Sequence, residues 1–151
     1  MIKNIWDKDE DIKPVTEQEV KEAEKSLGVT LPDTYVELCN HQNGGYLIYN
    51  AFPTSVENSW ADDHIDGSRL YGICKEGILL TDYLLDEWDL PKGLVLIAGE
   101  GHSWTALDYR QKKENPPVIY LEEGAEMEWR EIPLADSFEK YISKLYNHDE
   151  D

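Results

Sequence analysis

Four short runs between residues 94 and 132 constrain the fold more than anything else in the chain. Leu94-Val95-Leu96-Ile97-Ala98 is continuously apolar, Trp104-Thr105-Ala106-Leu107-Asp108-Tyr109 and Val118-Ile119-Tyr120-Leu121 are rich in branched and aromatic residues, and Met127-Glu128-Trp129-Arg130-Glu131-Ile132 alternates with period two. All have strand length, and the turns between them, such as Asn115-Pro116-Pro117, are short. Strands joined in this way pair with their sequence neighbours, so the spacing predicts an antiparallel meander.

Helical signals lie on either side of this meander. Thr16-x-x-Glu19 has the form of a capping box, Val20, Ala23 and Leu27 follow at helical spacing, and Gly28 supplies a stop, giving a helix over 16–27. Leu31-Pro32-Asp33 opens a second helix, with Tyr35, Leu38 and Cys39 on its apolar face and Asn43-Gly44-Gly45 at its end. Residues 78–88 repeat apolar positions at 80, 84, 85 and 88, the pattern of a third. Leu134, Phe138, Tyr141, Ile142 and Leu145 predict a last helix over 134–146. Between these, 46–52 reads as a strand, 53–69 as a long polar loop and 70–73 as a short strand. The fold class is therefore α+β: a mostly antiparallel sheet flanked by an N-terminal helix pair and a C-terminal helix. One domain spans 1–151, with its core over about 15–146 and a frayed tail from His148 to Asp151.

Charge narrows the choice of partners. The 14 Lys and Arg face 32 Asp and Glu, a net charge of −18. Such a field repels nucleic acid and anionic membranes and attracts a basic protein, although acidity also serves solubility alone. Cys39 and Cys74 form no C-x-x-C motif and read as buried free thiols. The start lacks the apolar core of a secretion signal, and no apolar run approaches the roughly 18 residues of a membrane span, so the expected location is the cytoplasm.

A family resemblance rests on four pieces in order: Glu24-x-x-Leu27-Gly28-Val29-Thr30-Leu31-Pro32-x-x-Tyr35 with Asn43-Gly44-Gly45; Trp104-x-Ala106-Leu107-Asp108-Tyr109; Pro117-Val118-x-Tyr120; and Ala135-Asp136-Ser137-Phe138. Together they resemble the SUKH superfamily over about residues 15–146. The resemblance implies an α+β fold with no metal or cofactor. It also implies a protein-binding role: many bacterial members are immunity proteins that neutralise a toxin domain, frequently a nuclease, and others are scaffolds. The matching residues carry structural jobs, with Gly28 as helix stop, Pro32 as helix start, Gly44-Gly45 as turn, and Leu107 and Phe138 as core.

Candidate site residues follow from chemistry. In Gly99-Glu100-Gly101-His102-Ser103-Trp104 the residue types of hydrolytic catalysis are present, but neighbours on an extended segment point to opposite faces, and no G-x-S-x-G elbow exists. A glycine-rich turn presenting Glu100 and His102 to a partner is the preferred reading, and no catalytic residue is assigned. Asp62, Asp63, His64 and Asp66 match no metal-loop spacing, and the other histidines are scattered in sequence, so no metal site is assigned either. An acidic loop carrying Trp60 between such carboxylates suits a protein interface, while Trp60 could equally tuck the loop onto the core. Asp82, Asp86, Glu87 and Asp89, and Glu122, Glu123, Glu126 and Glu128, form further acidic clusters that nothing in the sequence ranks. The expected partner-binding residues are Trp60, Asp62, Asp63, Asp66, Glu100 and His102. The expected function is that of an immunity protein masking a basic toxin one-to-one, with a non-enzymatic scaffold as the alternative and a small hydrolase as a remote third.

Overall fold

In the computed structural model, which describes residues 4–56, 58, 63–124 and 128–148, the four apolar runs pair in the expected order. Strands β5 (Leu94–Gly99), β6 (Ser103–Asp108), β7 (Val118–Glu123) and β8 (Trp129–Ala135) form a four-stranded antiparallel sheet in sequence order. Met127, expected to begin the last strand, and Glu126 lie outside the described residues. The strand instead continues through Pro133, which pairs with Ile119 beside a register shift. A proline lacks the N–H that a central strand needs, and β8 is tolerant because it is the sheet edge.

Both faces of this sheet are buried. Val95, Ile97, Leu107, Val118, Tyr120 and Ile132 join one core, whereas Leu94, Leu96, Trp104, Ala106, Ile119 and Leu121 join a second. That explains why 94–98 is apolar without alternation: odd and even side chains both face protein. The first core is covered by α1 (Glu17–Leu27), α2 (Asp33–His41) and α4 (Phe138–Ser143), and the second by α3 (Thr81–Glu87) and the residues after it. A single-turn 3-10 helix, Ile78–Leu80, leads into α3.

Helix α1 carries the full capping box: Thr16 Oγ1 accepts from the Glu19 N–H at 3.1 Å and the Glu19 carboxylate accepts from the Thr16 N–H at 2.9 Å. Gly28 ends it at φ 71°, the left-handed region where glycine is favoured. Helix α4 is shorter than its apolar spacing predicts. Ser137 caps it by accepting from the Lys140 N–H at 3.2 Å, so Leu134 belongs to β8 and Leu145 follows the helix, both still buried.

Residues 46–70 depart furthest from expectation. The run 46–52 splits into β1 (Gly45–Tyr46) and β2 (Ala51–Pro53), the presumed loop contributes β3 (His64–Asp66), and the short strand expected over 70–73 is β4 (Arg69–Leu70), shifted to start one residue earlier; β2 pairs with β3 and β1 with β4. One fully buried residue, Ile65, anchors β3 between two polar neighbours, too brief a signal to read as a strand. The charged lead-in also reaches the core: Ile5 and Trp6 are buried, and Trp6 Nε1 donates to the Leu38 carbonyl at 2.8 Å. At the other end His148 is held, not frayed, since its N–H donates to Asn50 Oδ1 at 2.7 Å, while Asp149, Glu150 and Asp151 lie outside the described residues.

Candidate partner-binding surface

Of the six residues expected to meet a partner, Trp60 and Asp62 lie outside the described residues. Asp66 and Glu100 line one groove of about 220 Å³, together with Arg69, Ser103 and Tyr120. Arg69 reaches across to donate to the Gly99 carbonyl at 2.8 Å, and the Tyr71 hydroxyl donates to the same oxygen at 2.9 Å. The β5–β6 turn is thereby pinned to β4. Burial pushes the Tyr120 phenol up, opposed by a hydrogen bond with Ser103 and reinforced by the nearby carboxylates of Glu122, Glu100 and Asp66.

On the same turn, His102 and Ser103 engage different carboxylates. His102 Nδ1 lies 3.2 Å from Glu123 Oε2, while Ser103 Oγ donates to Glu100 Oε1 at 3.4 Å. Among the described residues no hydrogen bond joins the two side chains, and no serine–histidine proton relay is assembled. His102 is exposed, with its ring edge-on to Trp88 at 6.3 Å.

Asp63 sits apart, at the start of β3. Its Oδ1 lies 2.8 Å from His64 Nδ1, and that hydrogen bond is the main reason its carboxyl lies below the usual range. His148, scattered in sequence, is brought here by the fold: its ring stacks on His64 at 3.9 Å.

A second acidic surface surrounds α3. Asp82, Asp86 and Asp89 rim a groove of about 420 Å³ floored by Leu27, Val29, Leu85 and Leu90, with Lys92 at its edge. Tyr83 stands on the same helix, 62% exposed. Asp82 and Asp86 are one turn apart, and Tyr83 lies three residues before Asp86, so these polar side chains share a helix surface. The sequence does mark the carboxylates, but Tyr83 is easily passed over; its signal is an aromatic set off the apolar stripe at 80, 84, 85 and 88. Among the other clustered acids, Glu122 is not a free carboxylate, being buried and 3.0 Å from Arg130.

The family model described as SMI1-KNR4 cell-wall, of the SUKH group, matches residues 17–142. The chain belongs to this family. No curated protein matches it.

The SUKH motif residues occupy scaffold positions. Glu24 Oε2 accepts from the Leu31 N–H at 2.7 Å, bracing the α1–α2 turn, and the Tyr109 hydroxyl donates to the Thr30 carbonyl at 2.7 Å. The Tyr35 hydroxyl donates to the Tyr71 carbonyl. Gly44 adopts φ 95° and packs so closely on Gly72 that a side chain at either would strike backbone. What identifies the family is thus its frame; Asp82, Asp86, Asp89, Asp66 and Glu100 lie outside those motifs, although motif residues Leu27, Val29 and Tyr120 also line the two grooves.

Among the described residues, no helix is long and apolar enough to cross a membrane. The family is consistent with an immunity-protein-like role.

Proposed function

We propose that this chain is an immunity protein, binding a basic toxin domain in the cytoplasm and covering its active surface. The observation that carries the reading is a SUKH frame bearing a net charge of −18. A domain that cleaves nucleic acid must hold phosphates on a positive surface, and a carboxylate-rich partner competes for that surface and is steered to it from a distance. The contact face in this reading is the α3 surface. Its apolar floor accepts the aliphatic stem of a Lys or Arg, Asp82, Asp86 and Asp89 meet the cationic head, and Tyr83 supplies an aromatic anchor. Glu100 and His102 at the β5–β6 turn, with Asp66 of β3 in the same groove as Glu100, form a second proposed contact; Trp60, Asp62 and Asp63 are proposed to add to the contact.

Inhibition by coverage needs no bond-making step, so no catalytic residue takes part. The test is expression of the product of the neighbouring gene alone and together with this chain. Growth arrest by the neighbour, relieved by co-expression, supports the reading. A harmless neighbour that nonetheless binds this chain assigns it to the scaffold role instead.

A further inference from the structure

We propose that Asp63, His64 and His148 form a binding site for a divalent transition-metal ion of the Zn²⁺ class, which clasps the C-terminal segment onto the β2–β3 hairpin. One donor atom from each of the three side chains lies within 4.8 Å of the others. Ligand bonds of about 2.0–2.2 Å require the donors to draw closer than this. Side-chain rotation suffices, because the terminal torsions of His and Asp are broad.

The backbone already places the three residues. His64 pairs with Pro53 across the hairpin, and Ala51 and Tyr146 exchange two hydrogen bonds of 3.0 Å each. Asn50 then fixes His148 by accepting from its N–H at 2.7 Å and donating to its carbonyl at 3.2 Å. Two strands and the C-terminal segment therefore converge on one point.

Two features of the imidazoles point to a ligand. His148 Nδ1 is buried and makes no hydrogen bond, and a buried polar atom without a partner is costly unless something completes it. Its ring also stacks on His64 with planes 22° apart, so two imidazoles stand side by side next to the Asp63 carboxylate. Two nitrogens with one carboxylate oxygen suit Zn²⁺ or Co²⁺; Ca²⁺ and Mg²⁺ take oxygen ligands. Three protein ligands leave a further position for water or a group from a partner.

The test is titration of the full chain with Co²⁺, read by visible absorption, and with Zn²⁺, read by calorimetry, both with excess Mg²⁺ to occupy the general carboxylate surface. One saturable ion per chain with visible ligand-field bands is expected. His64→Gln and His148→Gln should each weaken binding at least about tenfold, while His41→Ala, on the exposed end of α2, should leave it unchanged. Absence of saturable binding by the unaltered chain overturns the proposal. So does equal binding by both Gln variants, which would place the ion on surface carboxylates.

Discussion

The side chain of Asn43 closes on both backbone groups of Ile73: Oδ1 accepts from the N–H at 2.7 Å and Nδ2 donates to the carbonyl at 3.2 Å. This amide ties the end of α2 to the segment between β4 and α3, beside the close approach of Gly44 to Gly72. Asn43→Ala should cost about 2 kcal/mol in urea unfolding, because two hydrogen bonds go and a backbone donor loses its partner. Asn43→Asp keeps the acceptor and should cost less. Equal stability of Asn43→Ala and the parent would show that water replaces the side chain without penalty.

Acid should expose the Asp108–Arg110 contact. Burial pushes the Asp108 carboxyl up, but hydrogen bonds and charge from Arg110 outweigh it and hold the group below the usual carboxylate range. A depressed folded pKa contributes stability above the unfolded value of about 4, and that contribution is lost as the pH falls through the folded value. Asp108→Asn should therefore be less stable than the parent at pH 7, with the gap closing by about pH 2. Urea midpoints measured across that range check it, and a gap independent of pH would contradict it.

The two thiols should differ in reactivity. Burial pushes Cys39 up to about 12, with only partial opposition from hydrogen bonds to Ile73 and Gly44, while Cys74 is half-buried and also raised by burial. Since the thiolate is the reactive form, a thiol reagent at pH 8 should label Cys74 slowly and Cys39 only on unfolding. Mass spectrometry of the labelled native protein reads this directly. Prompt modification of Cys39 would mean that α2 opens locally.

Sequence periodicity revealed the meander, α1 and α2 because each spans enough residues for its period to repeat and carries its own punctuation, Thr16 and Gly28 above all. It failed where burial is set by distant chain. Ile65 is a lone apolar residue in β3, and Ile5 and Trp6 are buried only because they pair beside β1. Leu134 and Leu145 fit a helical repeat yet flank the helix, since Ser137 decides where α4 begins. In the candidate site, the carboxylates were legible as clusters, but not their neighbours. The apolar floor beneath Asp82, Asp86 and Asp89 is gathered from α1, α3 and the segments that follow them, and His148 meets His64 through the Ala51–Tyr146 pairing and the Asn50 hydrogen bonds.

Partner affinity should separate the two acidic surfaces. Tyr83→Ala and Asp86→Lys should each lower it by about 2 kcal/mol, roughly thirtyfold, without unfolding the chain, since both side chains are exposed. Asp66→Asn with Glu100→Gln tests the β5–β6 groove in the same assay. Ser103→Ala, which removes the hydroxyl a hydrolase would use, should leave protection of cells intact; loss of protection with unchanged binding would revive a catalytic reading.

The most direct test of binding to a basic toxin is capture from native lysate with this chain as bait, at about 50 mM and about 500 mM salt, followed by a growth assay of the captured protein. Recovery of a basic domain that arrests growth when expressed alone, is silenced by the bait, and is released at the higher salt is the predicted result, because screening shortens the reach of the carboxylates. Capture of only non-toxic proteins, from cells shown to make the products of the neighbouring genes, would contradict the immunity reading.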